Sequence, residues 1–173
     1  IQGTDLGGVT VQRDSGAANF RLFNISGSAT VTLQGLTIRN GRGGPYGGGV
    51  QSTNSSLTIE DCVVADNVAT FSSDQQGGGI AGVSNNGAAT LVVRRSIIRD
   101  NSAEAQGGGI YNWGNGGSAS LTLTDSTLDG NATTSWASAI LNQASNGATA
   151  TLVASGNTFS NHPGSGAVVV GTG

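Results

Sequence analysis

Lysine is missing from this chain: all seven basic residues are arginines, set against ten acids for a formal charge of −3. That balance excludes the basic face that grips a nucleic-acid backbone. Cysteine occurs once, at Cys62, so no internal disulfide can form, and the count does not fix the compartment. Cys62 falls in an inward small-residue column with Ser96 and Ser126, which predicts a buried, inert thiol. Zinc-ligand spacings are absent. The single histidine, His162, stands beside Pro163 with no Ser or Cys partner, and reads as a surface turn residue rather than a general base. No run approaches the ~18 apolar residues of a membrane span. No charged-then-apolar leader opens the chain, and Ile1 starts in mid-pattern, as in a mature or excised piece of a longer precursor.

Glycine is abundant, at 30 of 173 residues, yet without the Gly-X-Y triplet of collagen. Ser, Thr, Asn and Ala fill much of the rest, a composition close to that of disordered chains. Order is nevertheless expected, because short Val, Ile and Leu runs return on schedule. Gly-Gly-Gly-Val ends at Val50, and Gly-Gly-Gly-Ile ends at Ile80 and Ile110. A degenerate copy ends at Ile140, and Gly166-Ala167-Val168 follows. A fixed period of about 30 residues marks a stacked repeat.

Each repeat holds an alternating run such as Leu57-Thr58-Ile59, a second short run such as Cys62-Val63-Val64, and the glycine strand. Alternation buries one side of each strand. The fold class predicted is all-β: a right-handed single-stranded parallel β-helix (β-solenoid) of five to six coils, three strands to the coil. One domain spans residues 1–173: an irregular N-terminal coil over 1–29, regular repeats over 30–168, and a C-terminal end at 169–173. Val9 to Gln12 is a further candidate strand.

Superposing the repeats gives three inward columns: Leu33, Ile59, Val93, Leu123 and Val153; Ile38, Val64, Ile98, Leu128 and Phe159; and Val50, Ile80, Ile110, Ile140 and Val168. The last coil needs a one-residue shift to place Phe159. The pairs Gly48-Gly49, Gly78-Gly79 and Gly108-Gly109 are expected to supply special backbone angles and close approach. Gly87, Gly117 and Gly147 read as a stacked turn with positive φ. Asn67, Asn101, Asn131 and Asn161 form a structural ladder of side-chain amides that also satisfies the turn backbone, with Asn40 and Gly41 at the matching place in the first repeat. A polar ligand site is the functional alternative for that column.

The run Ile98-Arg99-Asp100-Asn101-Ser102-Ala103, followed by Gly107 to Ile110, resembles the repeats of polymorphic outer membrane proteins and related autotransporter passengers. Val64 to Ala69 with Gly77 to Ile80 matches too, as does Leu128 to Ala132 with Ala139-Ile140. Ile1-Gln2-Gly3 and Leu36 to Gly41 are similar to other bacterial surface β-helix proteins. The resemblance covers about residues 30 to 168. It implies an extracellular or cell-surface setting and a structural or adhesive role, and it carries over no catalytic residue or cofactor.

Polysaccharide lyases share such folds, so the charges need inspection. A lyase site gathers acids for Ca²⁺ beside a proton acceptor. Here Asp61, Arg95 and Asp125 align in one column, and Arg99 with Asp129 in another, as opposite-charge neighbours that set register. Asp66 and Asp100 also share a column, where solvation or a bound cation, with Asp74, relieves their repulsion. Tyr111, Trp113 and Trp136 cluster near one corner, and Phe71 sits on the longest loop, Thr70 to Gln76. As exposed platforms they would bind glycans; corner packing and self-contact are the alternatives. Asn24, Asn54 and Asn131 match N-glycosylation acceptors, as chance allows in an Asn- and Ser-rich chain.

No amphipathic helix is predicted at either end, and residues 166 to 171 are apolar and strand-like. Either neighbouring sequence continues the stack or copies meet end to end in a filament. The function expected is a non-enzymatic extracellular structural or adhesive module, self-assembling in that second case. A glycan-binding module is the alternative, and a polysaccharide lyase or hydrolase the third reading.

Overall fold

The computed structural model describes residues 1–3, 5–6, 8–70, 76–135, 137–164 and 166–172. The chain winds as a parallel β-solenoid of about five turns, and every strand pairing is parallel. Each full coil visits four faces in order. The first face holds Thr30–Gln34, Ser56–Glu60, Ala88–Arg94, Ser118–Thr124 and Thr149–Ser155. The second holds Val9–Gln12, Leu36–Arg39, Val63–Ala65, Ile97–Arg99, Thr127–Asp129 and Thr158–Ser160. The third is a stack of two-residue strands, Arg42–Gly43, Val68–Ala69, Ser102–Ala103 and Ala132–Thr133. The fourth holds Phe23–Ile25, Val50–Thr53, Ile80–Asn85, Ile110–Asn115, Ile140–Ser145 and Val168–Thr172. The third face corrects the three-strand expectation, because two residues are too few to show alternation.

The core follows the predicted columns, with one correction. Leu33, Ile59, Val93 and Leu123 are sealed, but the residue that pairs with Leu123 is Ala154. Val153 pairs with Thr122 on the outer side and is 61% exposed. The turn between Ser145 and Thr149 is one residue longer than its counterpart between Asn115 and Ser118, and a one-residue slip turns a strand over. The other two columns hold, Phe159 pairing with Leu128 and Val168 with Ile140.

Every corner uses a left-handed residue. Gly35, Asp61, Arg95, Asp125 and Gly156 turn the first corner with φ of 66°, 52°, 47°, 50° and 67°. Asn40, Asp66, Asp100, Gly130 and Asn161 turn the second in the same way. Asn and Asp tolerate this region better than other side chains, which explains why acids recur there. In the glycine triplets the positive φ falls on the first member, Gly47, Gly77 and Gly107, not on the following pair. The pair is needed for space: a Cβ on Gly78 would lie 2.3 Å from the Ser102 carbonyl oxygen. The turn after the fourth face likewise takes its positive φ at Asn86 and Gly116, one residue before Gly87 and Gly117; Gly147 has it as expected.

Two buried ladders tie the coils. Asn67, Asn101 and Asn131 are fully buried, and the amides of Asn67 and Asn101 each donate to the next asparagine's oxygen at 3.0 Å. All three also donate to a second-face carbonyl, on Ile38, Val64 and Ile98, while Gly41 N–H closes the ladder on Asn67 at 2.8 Å. Asn161 is not a rung. It turns the second corner and is exposed, and His162 takes the ladder place, its Nδ1 3.3 Å from the Asn131 carbonyl oxygen. The second ladder is Cys62, Ser96, Ser126 and Asn157, each accepting a backbone N–H from the coil before. Ser96 and Ser126 in turn donate within their own coils, to the carbonyls of Arg94 and Thr124. The Cys62 thiol is buried, and desolvation raises its pKa.

Candidate functional site

The charged residues neutralise one another near the first two corners. Arg95 bonds Asp61 at 2.9 Å and also meets Glu60, and Arg94 bonds Glu60 at 2.8 Å. The Arg94 hydrogen bond is the main reason the Glu60 carboxyl titrates below its ordinary range, and Arg95 does the same for Asp61. Asp125 shares the column but makes no ion pair among the described residues. Arg99 aligns with Asp129 yet pairs with Asp100 at 2.6 Å. Asp129 instead accepts from Ser160 and Asn161, which hold its carboxyl low. Asp66 finds Arg39 at 3.4 Å. The predicted repulsion between Asp66 and Asp100 is thus relieved by an arginine for each. Asp74 lies outside the described residues. Among those described, no cluster of three metal-ligating side chains occurs.

The outer side of the fourth face is built differently. Alternation turns Ala81, Val83, Tyr111 and Leu141 outward, yet all four are buried. A shelf covers them, formed where the chain approaches the glycine triplets. Tyr46, Gln76 and Gln106 stack there as parallel bridges, coil upon coil. Gln76 Nε2 donates to Gln106 Oε1 at 3.2 Å. Arg21, half buried and lowered in pKa by desolvation, fastens the shelf. Its guanidinium donates to the carbonyls of Gly44, Tyr46 and Gly47.

Three rings meet between shelf and sheet. Tyr46, Tyr111 and Trp113 have centroids 5.6 to 6.0 Å apart, and Tyr111 lies within 27° of parallel to each of the others. Such pairs add about 0.5–1.5 kcal/mol each beyond area burial. Tyr111 is only 2% exposed, which corrects its reading as an exposed platform: it forms the floor. Tyr46 and Trp113 are half-buried, and Trp113 Nε1 donates to Ser145 Oγ at 3.0 Å, which fixes the indole. Together with Gln76 and Gln143 they enclose a groove of about 220 Å³. Phe71 and Trp136 lie outside the described residues. Tyr46 escaped the sequence reading, although it stands at the same position as Gln76 and Gln106, 30 residues before the first.

Of the three N-glycosylation matches, Asn131 is sealed in the ladder, and the Asn54 amide donates to Asn85 at 2.9 Å; Asn24 is exposed. Comparison with known proteins gives the family and nothing finer. No curated protein matches the chain, and no solved structure does. Residues 17–132, well over half of the chain, match the right-handed β-helix region family, and the chain belongs to that family.

Proposed function

We propose that this chain is a non-enzymatic structural and adhesive module of a bacterial surface or secreted protein: a rigid rod that holds a recognition surface outside the cell. The observation that carries this reading is how the recurring polar residues are used. The asparagines and serines of the ladders are bonded to the backbone of adjacent coils, and the asparagines also to one another. Eight charged residues at or beside the corners are held in ion pairs with near neighbours. Little that repeats remains for chemistry, while one irregular surface keeps rings and amides half open. The resemblance to outer membrane protein and autotransporter repeats supports the extracellular setting.

Two measurements test the reading. The whole protein, immobilised on beads, is expected to adhere to bacterial or host-cell surfaces. It is also expected to leave uronate polymers intact in the presence of Ca²⁺; depolymerisation would replace the adhesive reading with the lyase one. End-to-end assembly is a second reading, which the parallel pairing throughout the stack accommodates. Negative-stain microscopy of the whole protein decides it: fibres support assembly, and uniform single particles refute it.

A further inference from the structure

We infer that the groove between the shelf and the fourth face is a carbohydrate site that takes a single pyranose ring stacked on Trp113. This rests on the adhesive reading above and names the class of partner. Sugars present both an apolar C–H face and a rim of hydroxyls, so a site for them needs an aromatic surface flanked by groups that both donate and accept hydrogen bonds.

The groove has both. Tyr46 and Trp113 supply half-buried rings over the sealed floor of Tyr111. Gln76 and Gln143 supply carboxamides, which both donate and accept. Among the described residues no charged side chain lines the groove, which favours a neutral sugar over a uronate or sialic acid. Its volume, about 220 Å³, suits one ring rather than a chain, so a terminal residue of a glycan is the expected epitope.

The site is also rigid before any ligand arrives. The indole is held by its bond to Ser145, Tyr46 by a backbone clamped on Arg21, and Gln76 by Gln106. A pre-ordered site loses little freedom on binding, which suits a small ligand with few contacts. The positions are irregular within the repeat. Trp113 pairs in register with Val83 and Gln143, and Tyr111 with Ala81 and Leu141. The aromatic floor is therefore peculiar to one coil, unlike the ladders.

Ligand-observed NMR on the whole protein tests this, using methyl β-glycosides of glucose, galactose and N-acetylglucosamine, with mannitol as an open-chain polyol control. Binding of at least one glycoside and none of mannitol is expected. Trp113→Ala should weaken it by about tenfold or more, as loss of an aromatic anchor does. Gln143→Ala should weaken it less, with an unchanged thermal midpoint. Should Trp113→Ala fail to fold, Gln143→Ala and Trp113→Phe carry the test. Equal binding of mannitol, no binding across a wider array of neutral glycans, or full affinity in both Trp113→Phe and Gln143→Ala overturns the site. If wild-type and Trp113→Ala beads adhere to cells alike and no neutral glycan binds the wild type, the groove is refuted and the adhesive role stands. If wild-type beads adhere to nothing while the glycosides still bind, the adhesive role fails and the groove stands.

Discussion

The asparagine corner and the aromatic shelf belong to the same coils, yet they treat polar groups in opposite ways. At the corner, Asn67, Asn101 and Asn131 are sealed, and their amides bond one to the next and to carbonyls of the coil before. At the shelf, rings and carboxamides stay half-buried around a groove. The first arrangement repeats because each coil needs it. The second changes from coil to coil, with Ala81, Tyr111 and Leu141 at one position. Repetition therefore marks what builds the rod, and irregularity marks where recognition has room to arise.

The ladder should be the most sensitive part. Asn101→Ala removes the acceptor for the Asn67 backbone and side-chain N–H groups, and the donor to the Val64 carbonyl. Buried groups left unpaired cost about 1–3 kcal/mol each, so a loss of about 3–5 kcal/mol is expected in urea unfolding of the whole protein. A loss below 1 kcal/mol would mean that the coils are held by their apolar columns alone.

Crowding comes next. Gly78→Ala drives a Cβ to within 2.4 Å of the Gly108 carbonyl oxygen as well as onto Ser102. The backbone must shift in two adjacent coils, at about 2–3 kcal/mol. The same denaturation curve reads it, and a neutral effect would show that the coil spacing is elastic.

A smaller effect of opposite sign is expected beneath the shelf. The inward column Ser52, Gly82, Asn112 and Asn142 is a second asparagine ladder with a gap. Asn112 donates to Asn142 at 2.7 Å, but Asn112 Oδ1 and Ser52 Oγ are buried without a partner among the described residues. Gly82 lies between them, and a Cβ there meets Asn112 Oδ1 at 3.4 Å and Leu91 Cβ at 3.3 Å, so Leu91 must give by a few tenths of an ångström. Gly82→Asn should add a rung and raise stability by about 1 kcal/mol. A lowered unfolding midpoint contradicts that geometry.

Acid should have the mildest effect, on the exposed ion pairs. The carboxyls of Glu60, Asp61 and Asp129 titrate below their ordinary range when folded. Their contribution is present above the unfolded carboxylate pKa of about 4 and is lost as pH falls through the lower folded values. Arg95→Ala should flatten the fall in thermal midpoint below about pH 4, because Glu60 and Asp61 lose a partner. An unchanged acid profile would show that these pairs add nothing to stability.

The rod was readable from the sequence because its columns recur. Leu91 with Leu121, or Asn101 with Asn131, align by counting 30 residues, and Leu57 and Asn67, 34 residues earlier, align by their local pattern. Where counting slips, inference failed. The longer turn at Asn146 to Ala148 turned Val153 outward, and the ladder's last place went to His162. The two-residue third face left no alternation to detect. The groove was half legible. Tyr111 and Trp113 were found through their types, but the burial of Tyr111 depends on a shelf whose pairing no local pattern announces. Tyr46 belongs to that shelf, and the signal was its position ahead of the first glycine triplet.

The central claim is that repeated residues build the rod while the groove does the recognising. The most direct test compares Trp113→Ala with wild type in two readouts on one preparation, glycoside affinity and the urea unfolding midpoint. The account predicts affinity lost by about tenfold or more while stability falls by about 1–3 kcal/mol, the worth of two ring contacts. Retained affinity, or a collapse of stability as large as that of Asn101→Ala, would contradict it.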